Sequence, residues 1–484
     1  GQKVTDLHSH FVDEITFEKN GKTFKRVPEV LDCWMESGAM PYAQKHYPFE
    51  DPESFEKNFP AEFIAEGLDQ TRGWFYTLVV LGTALFGKSP FKNVIVNGLV
   101  LAEDGKKMSK RLKNYPDPEE VFEKYGADAL RFYLMNSPVV RAEPLRFSEK
   151  GVADVVRKIL LPIWNSYSFF VTYADIDKWK PAKEALDPDY VPDSNDQLDR
   201  WIISELEELL QNLTKEMDGY DLQRATEPIV KFIDSLTNWY IRRSRRRFWK
   251  SDSDTDKNEA YATLYYCLVK LSQIIAPFTP FVAEEIYRNL TQQESVHLSD
   301  WPKFDAKKID EALNKEMQLG REIVTLGHSI RAKKTIKVRQ PLAKVQVALP
   351  EGIDQEMVLR QKDVILEELN VKELEIINDD KGLVERFLTV SPPVLGPKYG
   401  ANVQKIIVAS KSGEYEVMKD GRVKILDFIL EEGEFELGYK GKEGFDVESQ
   451  NGIVVILDTE VSEDLKMEGY ARDVVRYVQE LRKE

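Results

Sequence analysis

The chain has 484 residues, enough for roughly two to four domains. With 42% hydrophobic, 31% charged and 11% aromatic residues, both a peptide-scale stapled fold and wholesale disorder are excluded. Its 67 Lys and Arg against 83 Asp and Glu leave a net charge of −16, so a polyanion would have to be met by a local basic patch rather than by the whole surface. Cys33 and Cys267 are the only cysteines. They are far apart and outside any Cys-x-x-Cys pair, which fits a reducing, cytoplasmic setting and speaks against a cysteine zinc site. No basic flank precedes an apolar amino-terminal core, and the longest apolar run, Trp74 to Phe86, is too short to span a membrane and is interrupted by Gly82.

In chain order, short alternating stretches (Ile15, Phe17; Thr23, Phe24) flank the turn signal Asn20-Gly21 and predict a hairpin. Residues 61–66 read as a strand; Gly67 turns the chain, Asp69 can cap, and Trp74 to Phe86 reads as a buried helix stopped by Gly87. Val94, Ile95 and Val96, with Leu99 and Val100, predict a second buried strand. Strand, helix and strand in about 40 residues form a βαβ unit, a piece of parallel sheet whose ligands belong beyond the carboxyl ends of its strands. A polar loop, Glu103 to Arg111, follows, then helix starts at Asp117 and Gly126. Helical periodicity dominates 152–173, 197–217, 221–250, 258–290 and 309–334. Near 343 the period shortens, with Val345, Val347 and Leu349 and then 371–377, 405–409 and 453–457 as candidate strands. The expected fold is multidomain: an α/β Rossmann half with a parallel sheet, an all-α helical bundle, and a small α+β carboxyl-terminal domain.

Two constellations carry chemistry. In the loop Lys107-Met108-Ser109-Lys110, two mobile ammonium groups beyond a strand end can follow charge moving onto a phosphate oxygen; the plainer reading is a solvated basic loop. Farther on, Arg242, Arg243, Arg245, Arg246 and Arg247 stand among Trp239, Tyr240, Phe248 and Trp249 in a helical pattern. Such a cluster neutralises several phosphates even on an acidic protein, unless its members pair with the acidic surplus. Arg331, Lys333, Lys334, Lys337 and Arg339 either extend that track or form a solvated linker.

Placed after a βαβ unit, Lys107-Met-Ser-Lys110 resembles the KMSKS loop of class I aminoacyl-tRNA synthetases. Leu31-Asp-Cys-Trp-Met-Glu-Ser-Gly38 with Ala39-Met-Pro-Tyr42, then Glu66-Gly-Leu-Asp-Gln-Thr-Arg-Gly-Trp74, are similar to segments of the isoleucine-specific branch rather than its valine or leucine relatives. Asn114-Tyr-Pro-Asp-Pro118, Gly126-Ala-Asp-Ala-Leu-Arg131 and Asn238-Trp-Tyr-Ile-Arg-Arg-Ser-Arg-Arg-Arg-Phe-Trp249 continue the match in the same order, over nearly the whole chain. The resemblance implies ATP-dependent activation of isoleucine, with Mg²⁺, and transfer to tRNA(Ile). It gives Lys107 and Lys110 the catalytic role, and Glu66, Asp69 and Gln70 the ribose and aminoacyl portion of an adenylate. Asn97 and Gly98 fall beside the adenine, Met108 and Ser109 in the ATP-binding loop, and Trp34 and Trp74 around the isoleucine side chain. Arg242, Arg243, Arg245, Arg246, Arg247 and Trp249 meet tRNA. Residue types agree, since carboxylates and an amide accept from hydroxyls and an ammonium, and indoles give rigid apolar walls. Singly, Asp69 reads as a helix cap, either Trp as core and Gly98 as a turn glycine.

The same resemblance divides the chain into a return limb of an inserted editing domain (1–27) and the second half of a Rossmann catalytic domain (28–140). Connector helices against the tRNA stem (141–195), a helical anticodon-binding domain (196–342) and a truncated α+β domain (343–484) follow. There are departures. No His-Ile-Gly-His motif is present, so the missing amino-terminal portion of the same polypeptide is an expected partner and the chain alone is expected to be inactive. His8-Ser9-His10 reads as surface residues rather than a metal pair. Residues 468–484 form an amphipathic pattern without a terminator, and the chain reads as a fragment. Arg111 stands where the motif has its last serine, and without the cysteine clusters of some relatives no structural zinc is expected. The competing readings are a non-catalytic tRNA-binding module with a remnant nucleotide site, and an unrelated nucleotidyltransferase, which leaves the arginine cluster unexplained.

Overall fold

A computed structural model describes residues 4–6, 8–29, 33–187, 190–249, 254–350, 352–377, 384–418, 422–431, 433–441 and 446–482; Leu31 and Asp32 of the first motif lie outside them. The chain divides into two compact units, Gly1–Ala306 and Lys307–Glu484.

The first unit opens with helix α1 (Ser9–Val12) and the antiparallel hairpin β1 (Thr16–Lys19) and β2 (Lys22–Lys25). Asn20 and Gly21, at φ 52° and 71°, give the doubly left-handed turn that a twisted two-residue hairpin needs. After α2 (Cys33–Ala43) and α3 (Pro52–Asn58) come β3 (Ala61–Gly67), a 3₁₀ turn (Leu68–Arg72), α4 (Trp74–Phe86) and β4 (Phe91–Asn97). β3 and β4 pair in parallel, with Gly67 opposite Asn97, so the βαβ unit forms as the sequence implies. Gly38 lets α2 lie on α4, because a Cβ there would come within 2.9 Å of Thr77 and Leu81. The expected burial of α4 and β4 is corrected, however: Phe75, Leu78 and Gly82 are inside, whereas Tyr76, Val79, Val80, Leu85 and Val94 are exposed. Among the described residues this sheet has two strands, and those side chains stay 39–60% exposed.

β5 (Val100–Leu101), α5 (Pro118–Tyr125), α6 (Ala127–Met135) and β6 (Leu145–Arg146), parallel to β5, complete this half. The bundle follows as α7 (Glu149–Val155), α8 (Leu161–Asp177), α9 (Gln197–Asp218), α10 (Leu222–Asp234), α11 (Arg242–Trp249), α12 (Asp254–Ile275) and α13 (Pro280–Thr291). π-helical turns, Val156–Leu160 and Ser235–Ile241, join α7 to α8 and α10 to α11. The single helix expected over 258–290 is two, since Pro277 and Pro280 remove the N–H donors that continuation needs. Its core is fed by α9 (Trp201, Ile202, Leu206, Leu210, Leu213) and α12 (Leu264, Leu268, Leu271, Ile275), all buried. The segment 126–131 fastens the two halves: the Asp128 carboxylate accepts the Val282 N–H (2.8 Å) at the start of α13, and Arg131 donates to the Pro277 carbonyl (2.8 Å).

The second unit contains α14 (Glu311–Lys333), β7 (Leu342–Ala348), α15 (Gln355–Arg360), α16 (Lys362–Leu369), β8 (Val371–Ile377), β9 (Val384–Val390), α17 (Pro392–Tyr399) and α18 (Val403–Ser412). A small meander of β10 (Tyr415–Val417), β11 (Val423–Ile425) and β12 (Phe428–Leu430), then β13 (Phe435–Gly441), β14 (Asp446–Gln450), β15 (Ile453–Leu457) and α19 (Glu463–Leu481), close it. Its main sheet runs β14-β15-β7-β8. Residues 405–409, expected as a strand, are helical, with Ile406, Ala409 and Ser410 facing inward; five apolar-leaning residues do not separate a strand from a buried helix turn. Compactness divides the chain upstream of the change in period at 342–343, because α14 packs on α16 and on β14 and β15. The basic stretch that ends α14 is an internal clasp. Buried Arg331 donates to the carbonyls of Lys337, Gln340, Leu369 and Asn370, and burial brings its pKa down to about 10. Lys333, Lys334 and Arg339 pair with Glu448, Asp446 and Asp473.

Candidate active site and nucleic-acid interface

β3 and β4 end side by side, and the residues singled out from the sequence gather at that end, where ligands of parallel sheets bind. Glu66 is exposed on β3, Asn97 closes β4 opposite Gly67, and Asp69 and Gln70 lie in the 3₁₀ turn just beyond. Asp69 is not the cap read from the sequence, since its side chain makes no capping bond. It accepts instead from Gln70 Nε2 (3.4 Å) and folds over Gly67, where a Cβ would sit 2.7 Å from its Oδ1. The N-cap of α4 is Gly73, and the free N–H of Trp74 is met by Gln70 Oε1 (2.9 Å).

Trp34 and Trp74 are brought together around Gly73. A Cβ on Gly73 would lie 3.0 Å from the Trp34 ring and 2.8 Å from Gln70 Oε1, so only glycine lets the indole reach the turn. Trp74 is fixed by its indole N–H, which donates to the Ser37 carbonyl on α2 (3.0 Å). Behind it, Met40, Phe55, Phe59, Ile64, Leu78 and Phe91 help line an apolar cavity of about 100 Å³. Gly98 also meets a constraint within the chain: a Cβ there would fall 1.9 Å from the Glu143 carbonyl, and its N–H donates to the Val139 carbonyl (2.7 Å). Its smallness admits the chain's own backbone.

The lysine loop leaves β5 through a turn in which Ala102 N–H donates to the Lys106 carbonyl (2.9 Å) and Gly105 stands at φ 81°. Asp104 caps that turn, accepting the Lys106 N–H (3.0 Å), and this holds its carboxyl below the usual range. Met108 and Ser109 are half-buried. The side chains of Lys107 and Lys110 are exposed, and neither ammonium engages a hydrogen bond or ion pair among the described residues. Sequence reasoning missed Asn114 as a site residue: its Oδ1 accepts the Ser109 N–H (3.0 Å) and its Nδ2 donates to the Lys107 carbonyl (3.2 Å). Among the described residues no group of three or more His, Cys, Asp or Glu is arranged to hold a metal ion.

The arginine cluster divides. Tyr240, Ser244 and Phe248, four apart, are buried. Arg245, Arg246 and Trp249 are exposed, and neither arginine has a partner among the described residues. Arg242 is exposed but reined in, donating to the Asn238 carbonyl (2.7 Å) near the Trp239 ring, while Arg243 is half-buried. Arg247 points inward, which removes it from the expected RNA-facing set. Its guanidinium grips buried Asp199 with two bonds (2.7 and 2.8 Å) and reaches Asp256 (2.8 Å). Burial pulls its pKa down, but Asp199 and Asp196 override that and hold it above the ordinary value. Tyr240 and Ser194 also donate to Asp199 (2.7 Å each). Asp199 was missed as well, although a lone carboxylate on the stripe of Ile202, Leu206 and Leu210 signals a buried partner.

A family model described as tRNA synthetases class I (I, L, M and V) matches residues 1–146, and one described as the anticodon-binding domain of tRNA ligase matches residues 199–347. The end of the β3–β4 sheet thus falls in the first matched segment and the arginine helix in the second. The isoleucine–tRNA ligase of Protochlamydia amoebophila is 48% identical over 495 residues, covering 100% of this chain and 47% of that protein. Those of Treponema denticola (47% identity; 99% and 45%) and Chlamydia muridarum (47% identity; 100% and 47%) are similar to the same extent. The chain belongs to the isoleucine–tRNA ligase family and spans about half the length of the curated relatives it matches. Among solved structures, a leucyl-tRNA synthetase–tRNA ternary complex from Agrobacterium radiobacter K84 has 18% identity and a TM-score of 0.47, over 72% of this chain and 41% of that one, too remote to bear on individual residues. No helix of the described residues is long and apolar enough to cross a membrane.

Proposed function

We propose that this chain forms part of an isoleucine–tRNA ligase acting in the cytoplasm. It contributes the lysine loop, one side of the adenylate site and the tRNA-binding helix, with the remaining length found in the relatives supplying the rest of the active site. The observation that carries this reading is the convergence of Glu66, Asp69, Gln70, Trp34 and Trp74 at the carboxyl end of β3, in a chain whose relatives are named isoleucine–tRNA ligases.

In the proposed reaction a carboxylate oxygen of isoleucine attacks the α-phosphorus of ATP, the bond to the β-phosphate breaks, and pyrophosphate departs in line. A hydroxyl of the terminal tRNA ribose then attacks the adenylate carbonyl and AMP leaves. The first step asks for positioning and for charge neutralisation on the leaving group, which Lys107 and Lys110 provide as mobile, uncommitted ammonium groups. Mg²⁺ accompanying the nucleotide would add to that neutralisation of phosphate charge. Asp69 and Glu66 accept from the ribose and the substrate ammonium, and Trp34 and Trp74 wall the aliphatic side chain. Arg242, Arg245, Arg246 and Trp249 take tRNA phosphates and an unstacked base, respectively.

The test is isoleucine-dependent exchange of pyrophosphate into ATP, by this chain alone and by a polypeptide completed to the relatives' length. Exchange in the completed form and silence in the chain alone is the expected result. Silence in both, with tRNA still bound, would instead favour a non-catalytic tRNA-binding module.

A further inference from the structure

We infer that Asn114 is the positioning residue of the lysine loop, the group that fixes where Lys107 and Lys110 stand before any nucleotide arrives. This rests on the proposed role of that loop. One end of the loop is tied to β5, through the backbone bridge between Leu101 and Lys107 and the bond from Ala102 N–H to the Lys106 carbonyl. The other end has no strand to hold it. There the Leu112 and Lys113 N–H groups both turn back onto the Ser109 carbonyl (3.1 and 3.0 Å), and Lys113 takes the left-handed conformation at φ 49°. That reversal returns the chain so that a single side-chain amide spans the loop from behind, accepting from Ser109 N–H and donating to the Lys107 carbonyl.

Both bonds are to backbone, so Asn114 sets the separation of residues 107 and 109 without occupying either lysine's side chain. The chemistry is specific to a primary amide of this length. A carboxylate at 114 still accepts from Ser109 but loses the donor and sets a negative oxygen against the Lys107 carbonyl; an alanine loses both partners. With the amide in place, the entropy of ordering the loop is met within the folded protein instead of being drawn from ATP binding. Asn114 itself needs no contact with substrate.

Two readouts keep this inference separate from the functional reading. In Asn114→Ala of this chain, hydrogen exchange in peptides covering 102–114 is expected to accelerate about tenfold, with the peptides of β3, α4 and β4 unchanged and Asn114→Asp in between. Unchanged exchange in 102–114 would overturn the inference, and so would faster exchange throughout the first unit, which would mark a merely structural role. In the completed polypeptide, Asn114→Ala should lower kcat for pyrophosphate exchange about tenfold and raise the KM for ATP, leaving the KM for isoleucine in place. Equal effects on both KM values would also overturn it. A completed wild-type protein that activates no amino acid would sink the functional reading alone, and the exchange measurement would then decide the role of Asn114 by itself.

Discussion

Helices α4 and α12 both present long apolar faces, yet the two regions that hold them treat that surface in opposite ways. In the bundle α12 buries Leu264, Leu268, Leu271 and Ile275 against its neighbours. In the βαβ region α4, which carries no charged residue, leaves Tyr76, Val79, Val80 and Leu85 in solvent beside a two-stranded sheet. Burial is a property of a side chain's neighbours, and hydrophobicity only creates the demand for them. The bundle meets its demand within the chain. The candidate active-site region, among the described residues, does not.

The comparison breaks most sharply at the bundle's ion pair. Asp199→Ala takes the bidentate partner from Arg247 and leaves it only Asp256 and Asp196, which should cost about 3 kcal/mol, the lower end of what breaking a buried pair costs. Chemical denaturation should show that loss, and a change below about 1 kcal/mol would mean that water reaches the site. Leu210→Ala, deleting a fully buried side chain of α9, should cost about 2–5 kcal/mol in the same assay. In the open region the largest expected effect is on rate. Lys110→Ala in the completed polypeptide should slow adenylate formation about 100-fold if the ammonium acts mainly in the transition state. Melting should not move, because the lysine has no partner among the described residues; unaltered turnover would remove it from the reaction.

How legible each region was in the sequence follows the same contrast. The parallel unit and the amino-terminal hairpin could be read because local signals suffice for them: Gly87 at φ 66° stops α4, and Asn20-Gly21 makes the hairpin turn. The lysine loop was recognisable as a string. What escaped were relations between distant positions. Gly98 is required by the Glu143 backbone and Gly73 by the Trp34 ring, and neither partner adjoins its glycine in sequence. Arg247 looked like its neighbours because a run of arginines hides phase. The π-turn over Ser235–Ile241 shifts the helical register just ahead of the cluster, and Arg247 is the arginine that meets Asp199. Asn114 stood in plain view within a recognised motif, yet its role depends on a left-handed Lys113 that no propensity rule favours.

A smaller effect separates the two kinds of arginine. Arg245→Ala with Arg246→Ala should reduce the slope of log affinity for tRNA against log salt by about 1 to 2 units if each meets a phosphate, with little change in stability. Filter binding at several salt concentrations measures it. Loss of affinity at an unchanged slope would mean that the helix had been disturbed rather than a phosphate contact removed.

The smallest expected change gives the cleanest reading of the open face. Leu85 is 58% exposed on α4, so Leu85→Ala in this chain should alter stability by less than about 0.5 kcal/mol, against several times that for Leu210→Ala. The two substitutions remove the same atoms, and the difference between them isolates the neighbours. Repeated in a polypeptide of the relatives' length, the Leu85 variant becomes a probe of the proposed completion. If the added portion packs on α4, the cost should rise to about 2 kcal/mol or more, while the Leu210 value stays where it was. An unchanged Leu85 value would mean that the added portion completes the active site from the edge of β3 and leaves this helix face to solvent.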